Sequence, residues 1–138
     1  VYKRQRFPDK VRALITYDRD LSKRIYAAAD LFLMPSRSEP CGLSQMIASR
    51  YGAIPVVRET GGLKDTVHAY EAWNGAGNGF SFTNYNAGDM CHVVCEAIDL
   101  YHNNKDACAA LQKRGMTADF SWTRSAQEYR NIYESICR

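Results

Sequence analysis

The residues best suited to chemistry lie in one short segment, residues 36–45. This segment follows an apolar run, residues 31–34, that is typical of a buried strand, and it supplies a carboxylate at Glu39. The residues that follow, among them Gly42 and Ser44, favour a helix start whose first backbone amides lack partners within the helix. Ligands of open α/β sheets bind where strands end, and such amides bind phosphate. Because a carboxylate can accept hydrogen bonds from sugar hydroxyls, the segment predicts a sugar-nucleotide site.

A second glycine turn, Thr-Gly-Gly-Leu at residues 60–63, follows the next strand-like run, residues 54–58. Gly61 and Gly62 fit either a plain tight turn or a backbone that approaches a ligand closely. Tyr17 also follows a strand-like run, so its ring is expected at the same carboxyl edge of the sheet. The alternative is that this ring packs on the following helix and only supports the fold. The pattern thus places a carboxylate, glycine turns and an aromatic ring where a parallel sheet binds ligands.

Strand-like and helix-like segments alternate through the first part of the chain, and only helices follow. We predict strands at residues 11–16, 31–34, 54–58 and 79–82. We predict helices at residues 21–29, 42–51, 63–67, 90–101 and 104–114, and a last helix capped by Ser121. This order indicates an α/β fold with a parallel sheet of about four strands. A doubly wound nucleotide-binding domain has about six strands, so we interpret the chain as a fragment.

Caps and apolar stripes refine these boundaries. Asp20 is predicted to cap the first helix, and Gly115 to end the helix that begins near Asn104. Trp73 is expected in the core. The buried face of the helix after Glu39 is predicted to comprise Leu43, Met46 and Ile47. The buried face of the last helix is predicted to comprise Trp122, Ala126, Tyr129, Ile132, Tyr133 and Ile136.

Composition narrows the class of protein. The 138 residues are 46% hydrophobic and 24% charged with a net charge of +3, as expected for one globular domain. Because Lys and Arg do not cluster with interleaved aromatics, we expect no nucleic-acid partner. No run of about 18 apolar residues predicts a membrane span, and the first residues lack the apolar segment of a signal peptide. We therefore expect a cytoplasmic protein with no membrane contact.

The five cysteines are an odd number without a CxxC pair, which is typical of reduced thiols in the cytosol. Cys91 and Cys95 share a predicted helix face near His92, so a metal site is one interpretation. The more ordinary interpretation is that the thiols are buried as small apolar groups. Cys41 has no neighbouring base in the sequence, and thiolate activation needs one or an electropositive site, so we do not expect covalent catalysis there.

The order and spacing of the motifs resemble the C-terminal part of the bacterial glycogen synthases, which are close to the plant starch synthases. The resemblance extends from about Phe7 to the end of the chain. It is carried by Ala-Asp at 29–30, Pro-Ser-Arg-Ser-Glu-Pro-Cys-Gly-Leu at 35–43, Tyr-Gly-Ala-Ile-Pro-Val-Val-Arg at 51–58, Thr-Gly-Gly-Leu-Lys-Asp-Thr-Val at 60–67 and Asp-Phe-Ser-Trp at 119–122. Glu-Pro-Cys-Gly-Leu followed by Thr-Gly-Gly-Leu is specific, because the wider class of transferases shares only a Glu-rich version of the first motif.

This resemblance implies a fold and an activity. The fold is a partial Rossmann-like parallel sheet with helices, from the C-terminal nucleotide-sugar-binding domain of a two-Rossmann-domain (GT-B) glycosyltransferase. The activity is transfer of glucose from ADP-glucose to the non-reducing end of an α-1,4-glucan such as glycogen, with retention of configuration. The family uses basic side chains in place of a metal, so we expect neither metal nor cofactor. Those side chains, an active-site histidine and an N-terminal Lys-Gly-Gly loop would lie upstream of this chain, and the N-terminal domain of the parent protein would be missing.

The resemblance also implies roles for single side chains. Glu39 would be the catalytic-site carboxylate that contacts the hydroxyls of the donor glucose. Its alternative role is to cap the helix that follows, since acidic groups favour that end. Tyr17 would stack on the adenine ring. The wider class has a second carboxylate at a fixed interval, but Ile47 occupies that position here, so one carboxylate is expected.

Backbone groups would complete the donor site that the resemblance implies. Cys41 and Gly42 would offer backbone groups to the sugar. The amides of Leu43 and Ser44 would face the distal phosphate. The residues that line the same pocket from the next strand would be Thr60, Gly61 and Gly62.

The first residues of the chain have a separate interpretation. Val-Tyr-Lys-Arg-Gln, residues 1–5, resembles translated sequencing-adapter DNA, so we expect a non-native leader; the alternative is a native basic terminus. Residues 6–138 would then be an incomplete C-terminal donor-binding domain. Two other functions remain open: an inactive half-domain that retains part of the nucleotide-sugar site, and a related GT-B transferase that uses another donor, such as UDP-glucose or GDP-mannose.

Overall fold

The computed structural model describes residues 6–137, so the leader predicted for residues 1–5 lies outside the described residues. The helices are α1 (Arg19–Ala28), α2 (Ser44–Arg50), α3 (Gly62–Thr66), α4 (Ala87–Asn103), α5 (Lys105–Thr117) and α6 (Trp122–Ile136). The strands are β1 (Leu31–Met34), β2 (Ile54–Arg58) and β3 (Phe80–Phe82).

These strands form one parallel sheet in the order β1-β2-β3, with Leu31 opposite Ile54 and Val56 opposite Phe80. β2 is the central strand, and its residues from Ile54 to Val57 are buried, as expected of a run that is apolar throughout. Because the strands are parallel, all of them end at one edge of the sheet, where the segments after β1 and β2 emerge. The predicted α/β fold with a parallel sheet is confirmed.

Apolar clusters on both faces of the sheet hold the helices. Successive side chains of β2 point to opposite faces, so Val56 enters one cluster and Val57 the other. The larger cluster joins β2 and β3 to α4 and α5, and its buried members are Ile54, Val56, Phe80, Phe82, Val93, Ala97, Cys108 and Leu111. The smaller cluster joins Val57 to Leu63 of α3 and to Val67. The strand ends are therefore fixed from both sides.

The strand predicted at residues 11–16 is wrong, and the sheet has three strands where about four were expected. Leu14 and Ile15 expose 64% and 97% of their surface. A strand needs a neighbour for its backbone hydrogen bonds and a layer against which its side chains pack. Within residues 6–137, no strand pairs with this segment.

The predicted N-cap of the first helix is wrong, and one predicted helix end lies two residues later than expected. The N-cap of α1 is Asp18, not Asp20, because the Asp18 Oδ1 accepts hydrogen bonds from the amides of Asp20 (3.0 Å) and Leu21 (2.9 Å). At the other end of the chain, α5 continues past Gly115 to Thr117. Gly115 serves a packing role, since a Cβ there would lie 3.3 Å from the Cβ of Ser49.

The buried face of α2 is not the predicted one. Gln45, Ala48 and Ser49 are buried, whereas Leu43 and Ile47 are 64% and 39% exposed. The physical reason is close helix packing: small side chains let α2 approach α5, where the missing side chain of a glycine makes room. Apolar size alone therefore indicates the wrong face.

The predicted core face of α6 is exposed in residues 6–137. The helix has no buried residue, and Trp122 is 87% exposed. Trp73, also expected in the core, is 84% exposed in the loop before β3. A periodic apolar stripe predicts that a helix is amphipathic, but it does not say which neighbour covers that stripe. None of the described residues covers this one.

The thiols also differ from expectation. Cys108 is buried, and burial raises the pKa of its thiol, which keeps it protonated and unreactive. The others, Cys41, Cys91, Cys95 and Cys137, are exposed. Residues 6–137 contain no group of His, Cys, Asp or Glu side chains arranged to hold a metal ion. Within the same part of the chain, none of the helices has the length and apolar character that a membrane crossing requires.

Candidate donor site

The two glycine turns lie side by side at the carboxyl edge of the sheet. We call residues 39–43 the first turn and residues 60–62 the second turn; they follow β1 and β2. The amide of Gly62 donates a hydrogen bond to the carbonyl oxygen of Pro40 (3.2 Å). The structure thus brings together two of the segments that the sequence singled out.

Both glycines of the second turn are explained by the close packing of the turns. Gly61 has a φ of +44°, and a Cβ there would overlap the carbonyl oxygen of Glu39. A Cβ at Gly62 would overlap the carbonyl oxygen of Cys41. Glycine is required because the backbone of the first turn occupies the space that a side chain would fill. The second turn is therefore more than a plain reversal of the chain, although its contact with a ligand stays a prediction.

Glu39 is half-buried in the first turn. The N-cap residue of α2 is Leu43, which makes no side-chain cap hydrogen bond. Whether Glu39 acts on a sugar or only favours the start of this helix through its charge stays a prediction. The hydrogen bonds and ion pairs of residues 6–137 do not include one to the Glu39 carboxylate. In this part of the chain, both carboxylate oxygens are available to accept hydrogen bonds from a ligand.

The first turn also presents unpaired backbone donors. The amides of Gly42, Leu43 and Ser44 donate no hydrogen bond to an acceptor within residues 6–137. Gly42 has a φ of +73°, which favours glycine and turns the chain sharply before α2. A carboxylate that accepts and amides that donate therefore lie within a few residues of each other. Such a set can bind a ligand that carries both hydroxyls and phosphates.

Gln45 connects the two turns through its buried side chain. The sequence did not predict a role for this residue. Its side chain is fully buried, and its Nε2 donates hydrogen bonds to the carbonyl oxygens of Gly42 (2.8 Å) and Cys41 (3.3 Å). The same nitrogen lies within hydrogen-bond distance of the Thr66 Oγ1 (3.1 Å) on α3, and because an amide NH2 has two hydrogens, one of them is shared between two of these acceptors. In the sequence, the only sign of this role is that Gln45 directly follows the predicted phosphate-binding amides. Its partner Thr66 is 21 residues away, so the sequence does not show the contact between them.

Tyr17 is placed differently from the expectation. The strand that was to hold it is absent, and its ring is 94% exposed just before α1. The helix itself reaches the site: the Tyr26 hydroxyl donates a hydrogen bond to the Ser44 Oγ (3.0 Å). The ring does not pack on the following helix as the alternative role expects. Its stacking on a base stays a prediction.

Side chains at the end of β2 brace the same edge. The Arg58 guanidinium donates hydrogen bonds to the carbonyl oxygens of Arg37 (2.9 Å) and Thr83 (3.2 Å). It therefore ties the segment after β1 to the segment after β3. The Glu59 carboxylate accepts a hydrogen bond from the Ser81 hydroxyl (2.8 Å). These contacts fix the strand ends from which both turns emerge.

Beyond β3, a shallow cavity of about 430 Å³ lies at the start of α4 and is lined by Phe82, Thr83, Asn84, Gly88, Asp89, His92 and Val93. Asn84 donates a hydrogen bond from Nδ2 to the Asp89 carboxylate (2.7 Å). This bond, together with the contact to Asn86, lowers the pKa of Asp89 below its usual value. The carboxylate thus remains charged at the helix N-terminus, which it stabilises. We assign this cavity no ligand.

Comparison with known proteins identifies several relatives. The chain is 53% identical over 130 residues to the glycogen synthase of Desulfitobacterium hafniense, which covers 94% of this chain and 28% of the relative. It is 53% identical over 132 residues to the glycogen synthase of Clostridium perfringens, which covers 96% and 27%. The chain therefore spans only a small part of the curated relatives that it matches. The resemblance to this group, inferred from the motifs, is confirmed.

Solved structures agree. The catalytic domain of starch synthase IV from Arabidopsis thaliana bound to ADP and acarbose matches 99% of this chain and 29% of its own, with a TM-score of 0.84 and 40% identity. This likeness confirms the fold class, part of a GT-B glycosyltransferase. A sucrose-phosphate synthase from Thermosynechococcus elongatus shares the fold, with a TM-score of 0.68 and 22% identity over 97% of this chain and 33% of its own.

The family model described as "Glycosyl transferases group 1" matches residues 5–116. This span contains all the strands of the described sheet and both turns. It ends within α5, before α6 begins. The site built above therefore lies wholly inside the region that defines the family. The chain belongs to the group 1 glycosyl transferases.

Proposed function

We propose that the chain is the donor-binding part of a glycogen or starch synthase, which transfers glucose from ADP-glucose to the non-reducing end of an α-1,4-glucan with retention of configuration. The observation that carries the proposal is the packing of the first turn on the second, with the Glu39 carboxylate and the amides of Gly42, Leu43 and Ser44 unpaired within residues 6–137. The glycogen synthase relatives, and the ADP in the starch synthase IV structure, support it.

In this proposal the first turn holds both ends of the transferred group. Glu39 accepts hydrogen bonds from glucose hydroxyls, and such charge-assisted bonds are about twice as strong as neutral ones. Backbone groups of Cys41 and Gly42 complete the sugar contact. Glu39 orients the glucose and does not attack it.

The phosphate end of the donor meets the amides of Leu43 and Ser44. Negative charge grows on the leaving diphosphate as the glycosidic bond breaks, and donors already aimed at that charge lower the barrier. Thr60 and the glycines of the second turn line the pocket, and Tyr17 stacks on the adenine. Basic side chains from the remainder of the enzyme supply the positive charge, so the proposal includes no metal and no cofactor.

The proposed partners are ADP-glucose, a glucan such as glycogen, and an N-terminal domain of the same enzyme. The relatives are more than three times longer than the matched segment, which is consistent with such a domain. We place the enzyme in the cytoplasm, because exposed free thiols such as Cys41 and Cys91 are typical of reducing compartments.

The test uses a hybrid enzyme in which residues 6–138 of this chain replace the matching segment of the Desulfitobacterium hafniense relative. We expect the hybrid to transfer labelled glucose from ADP-glucose to glycogen, with UDP-glucose and GDP-mannose used at least about 100-fold less efficiently. A folded hybrid that fails with ADP-glucose, while the parental enzyme works, would refute the proposal. Preference for UDP-glucose or GDP-mannose would instead support a transferase with another donor.

A further inference from the structure

Gln45 is a buried polar residue for which the proposed function has no use. It lies on α2 directly after the unpaired amides and is 0% exposed. Its Nε2 is surrounded by three oxygen atoms, the carbonyls of Cys41 and Gly42 and the Thr66 hydroxyl, at 3.3, 2.8 and 3.1 Å. A buried amide with this many specific contacts has one orientation, and it fixes its partners in turn.

Thr66 extends this network to the second turn. Its hydroxyl accepts the hydrogen bond from Gln45 and donates one to the carbonyl oxygen of Gly62 (2.6 Å). The amide of Gly62 donates to the carbonyl oxygen of Pro40 (3.2 Å), which returns the connection to the first turn. The contacts form a closed ring. If one turn shifted relative to the other, the hydrogen bonds of the Gly62 carbonyl oxygen and of the Gly62 amide would be disturbed.

The orientation of the Gln45 amide follows from chemistry. If the amide were flipped, its oxygen would face the carbonyl oxygens of Cys41 and Gly42, and neither of these can donate a hydrogen bond. In the observed orientation Oε1 has no hydrogen-bond partner within residues 6–137 and lies 2.6 Å from where a Cβ of residue 42 would be. A buried oxygen without a partner is unfavourable.

The ring also affects the direction of the backbone amides in the first turn. In a trans peptide, the carbonyl oxygen and the next N–H point in opposite directions, and residues 6–137 contain no cis peptide. Gln45 draws the carbonyls of Cys41 and Gly42 toward its buried side chain. The amides of Gly42 and Leu43 must therefore point away from it. These are amides to which the proposed function assigns the donor.

We propose that Gln45 and Thr66 are positioning residues that lock the two turns together and aim the amides of the first turn at the donor. This inference rests on the proposed function. Neither side chain touches the sugar nucleotide; both act through the backbone of the first and second turns. Loss of the ring lets the carbonyls of Cys41 and Gly42 rotate, which misdirects the amides and displaces Glu39.

The test compares variants of the hybrid enzyme. Gln45→Met keeps the length of the side chain and removes the donor, and Thr66→Val keeps the shape and removes only the hydroxyl. Thr66→Ser restores the hydroxyl and serves as the rescue. Gln127→Met is the matched control, because Gln127 is exposed on α6 and its side chain hydrogen-bonds Asn131 on the same helix. Thermal unfolding is measured for each, and kinetics are run well below every Tm.

We expect Gln45→Met and Thr66→Val to lower kcat/KM for ADP-glucose about tenfold or more, with the KM for glycogen within about twofold. Thr66→Ser and Gln127→Met should stay near the unsubstituted hybrid. Should Gln45→Met fail to fold, Thr66→Val decides. A lower Tm with an unchanged kcat/KM for ADP-glucose overturns the inference and leaves the proposed function intact. An inactive unsubstituted hybrid overturns both.

Discussion

Glu39 lies in the first turn as a half-buried carboxylate, ahead of the N-cap residue of α2. In the hybrid enzyme, Glu39→Ala should lower kcat/KM for ADP-glucose by at least about 100-fold, because charge-assisted hydrogen bonds to the sugar are lost. The affinity for ADP should change far less, since ADP carries no glucose. Steady-state kinetics and ADP titration check this. Equal losses in turnover and in ADP binding would mean that Glu39 only supports the turn.

Tyr17 provides a second prediction at this scale. Tyr17→Ala should weaken ADP and ADP-glucose binding by the same factor, about 5- to 150-fold, because base stacking on an aromatic ring is worth roughly 1–3 kcal/mol. Tyr17→Phe should be nearly silent, since stacking needs the ring and not the hydroxyl. Because the ring is 94% exposed, neither change should alter the Tm.

The measurement for Tyr17 is calorimetric titration with ADP, with thermal unfolding of the same samples. An ADP dissociation constant that stays within about twofold in Tyr17→Ala would show that the ring does not stack. A drop in Tm would show that Tyr17 supports the fold after all.

At the scale of elements, the packing of the two turns can be tested through stability. Gly61 and Gly75 both have positive φ, at +44° and +71°, but a Cβ at Gly75 would meet no atom of residues 6–137 within 4 Å. Each Gly→Ala change carries the cost of an unfavourable backbone conformation, about 1–2 kcal/mol. Gly61→Ala should cost at least about 2 kcal/mol more, because its Cβ overlaps the Glu39 carbonyl oxygen.

Urea unfolding of the 138-residue chain measures both variants on one scale. Gly75→Ala is the control for backbone strain, since its surroundings are open. If the two variants lose the same free energy of unfolding, the first turn yields easily and the close approach of the turns is not what requires glycine at position 61.

The sequence predicted these elements with uneven success. β1 and β2 could be predicted because a short continuous apolar run is typical of a buried strand in a parallel sheet. α4 could be predicted because its apolar stripe is long and regular. The run at residues 11–16 has similar local features, yet forms no strand. The local pattern of residues shows that a segment is apolar, but it does not show which strand would pair with it. Strand formation depends on that partner.

The site shows the same limit. Both glycine turns and Glu39 could be predicted. Glycine just after a strand indicates a tight turn or a close approach of the backbone, and the family resemblance identified the positions. Gln45 could not be identified, because its burial depends on Thr66 and on carbonyl oxygens of the first turn. A carboxamide near the start of a helix normally faces water, and only the folded chain shows that this one does not.

At the scale of the whole molecule, the 138-residue chain alone should transfer no glucose. Its site is open: Leu43 in the first turn is 64% exposed, and the chain spans 28% of the length of a relative. Glycosyl transfer without hydrolysis needs a site from which water is excluded, and two substrates held together. The check is incorporation of labelled glucose from ADP-glucose into glycogen, with the hybrid enzyme as positive control. Incorporation above a protein-free blank would contradict this expectation.

The distribution of exposed thiols gives the molecule a built-in reporter. Cys41 lies in the first turn, whereas Cys91 and Cys95 lie on α4 and Cys137 follows α6. A nucleotide sugar seated on the first turn would shield Cys41 from a maleimide and leave the other thiols open to it. Peptide mass spectrometry of the hybrid enzyme after brief alkylation would then give occupancy as the ratio of adducts at Cys41 and Cys91. Footprinting of this kind needs no turnover, so binding can be followed in variants that have lost catalysis.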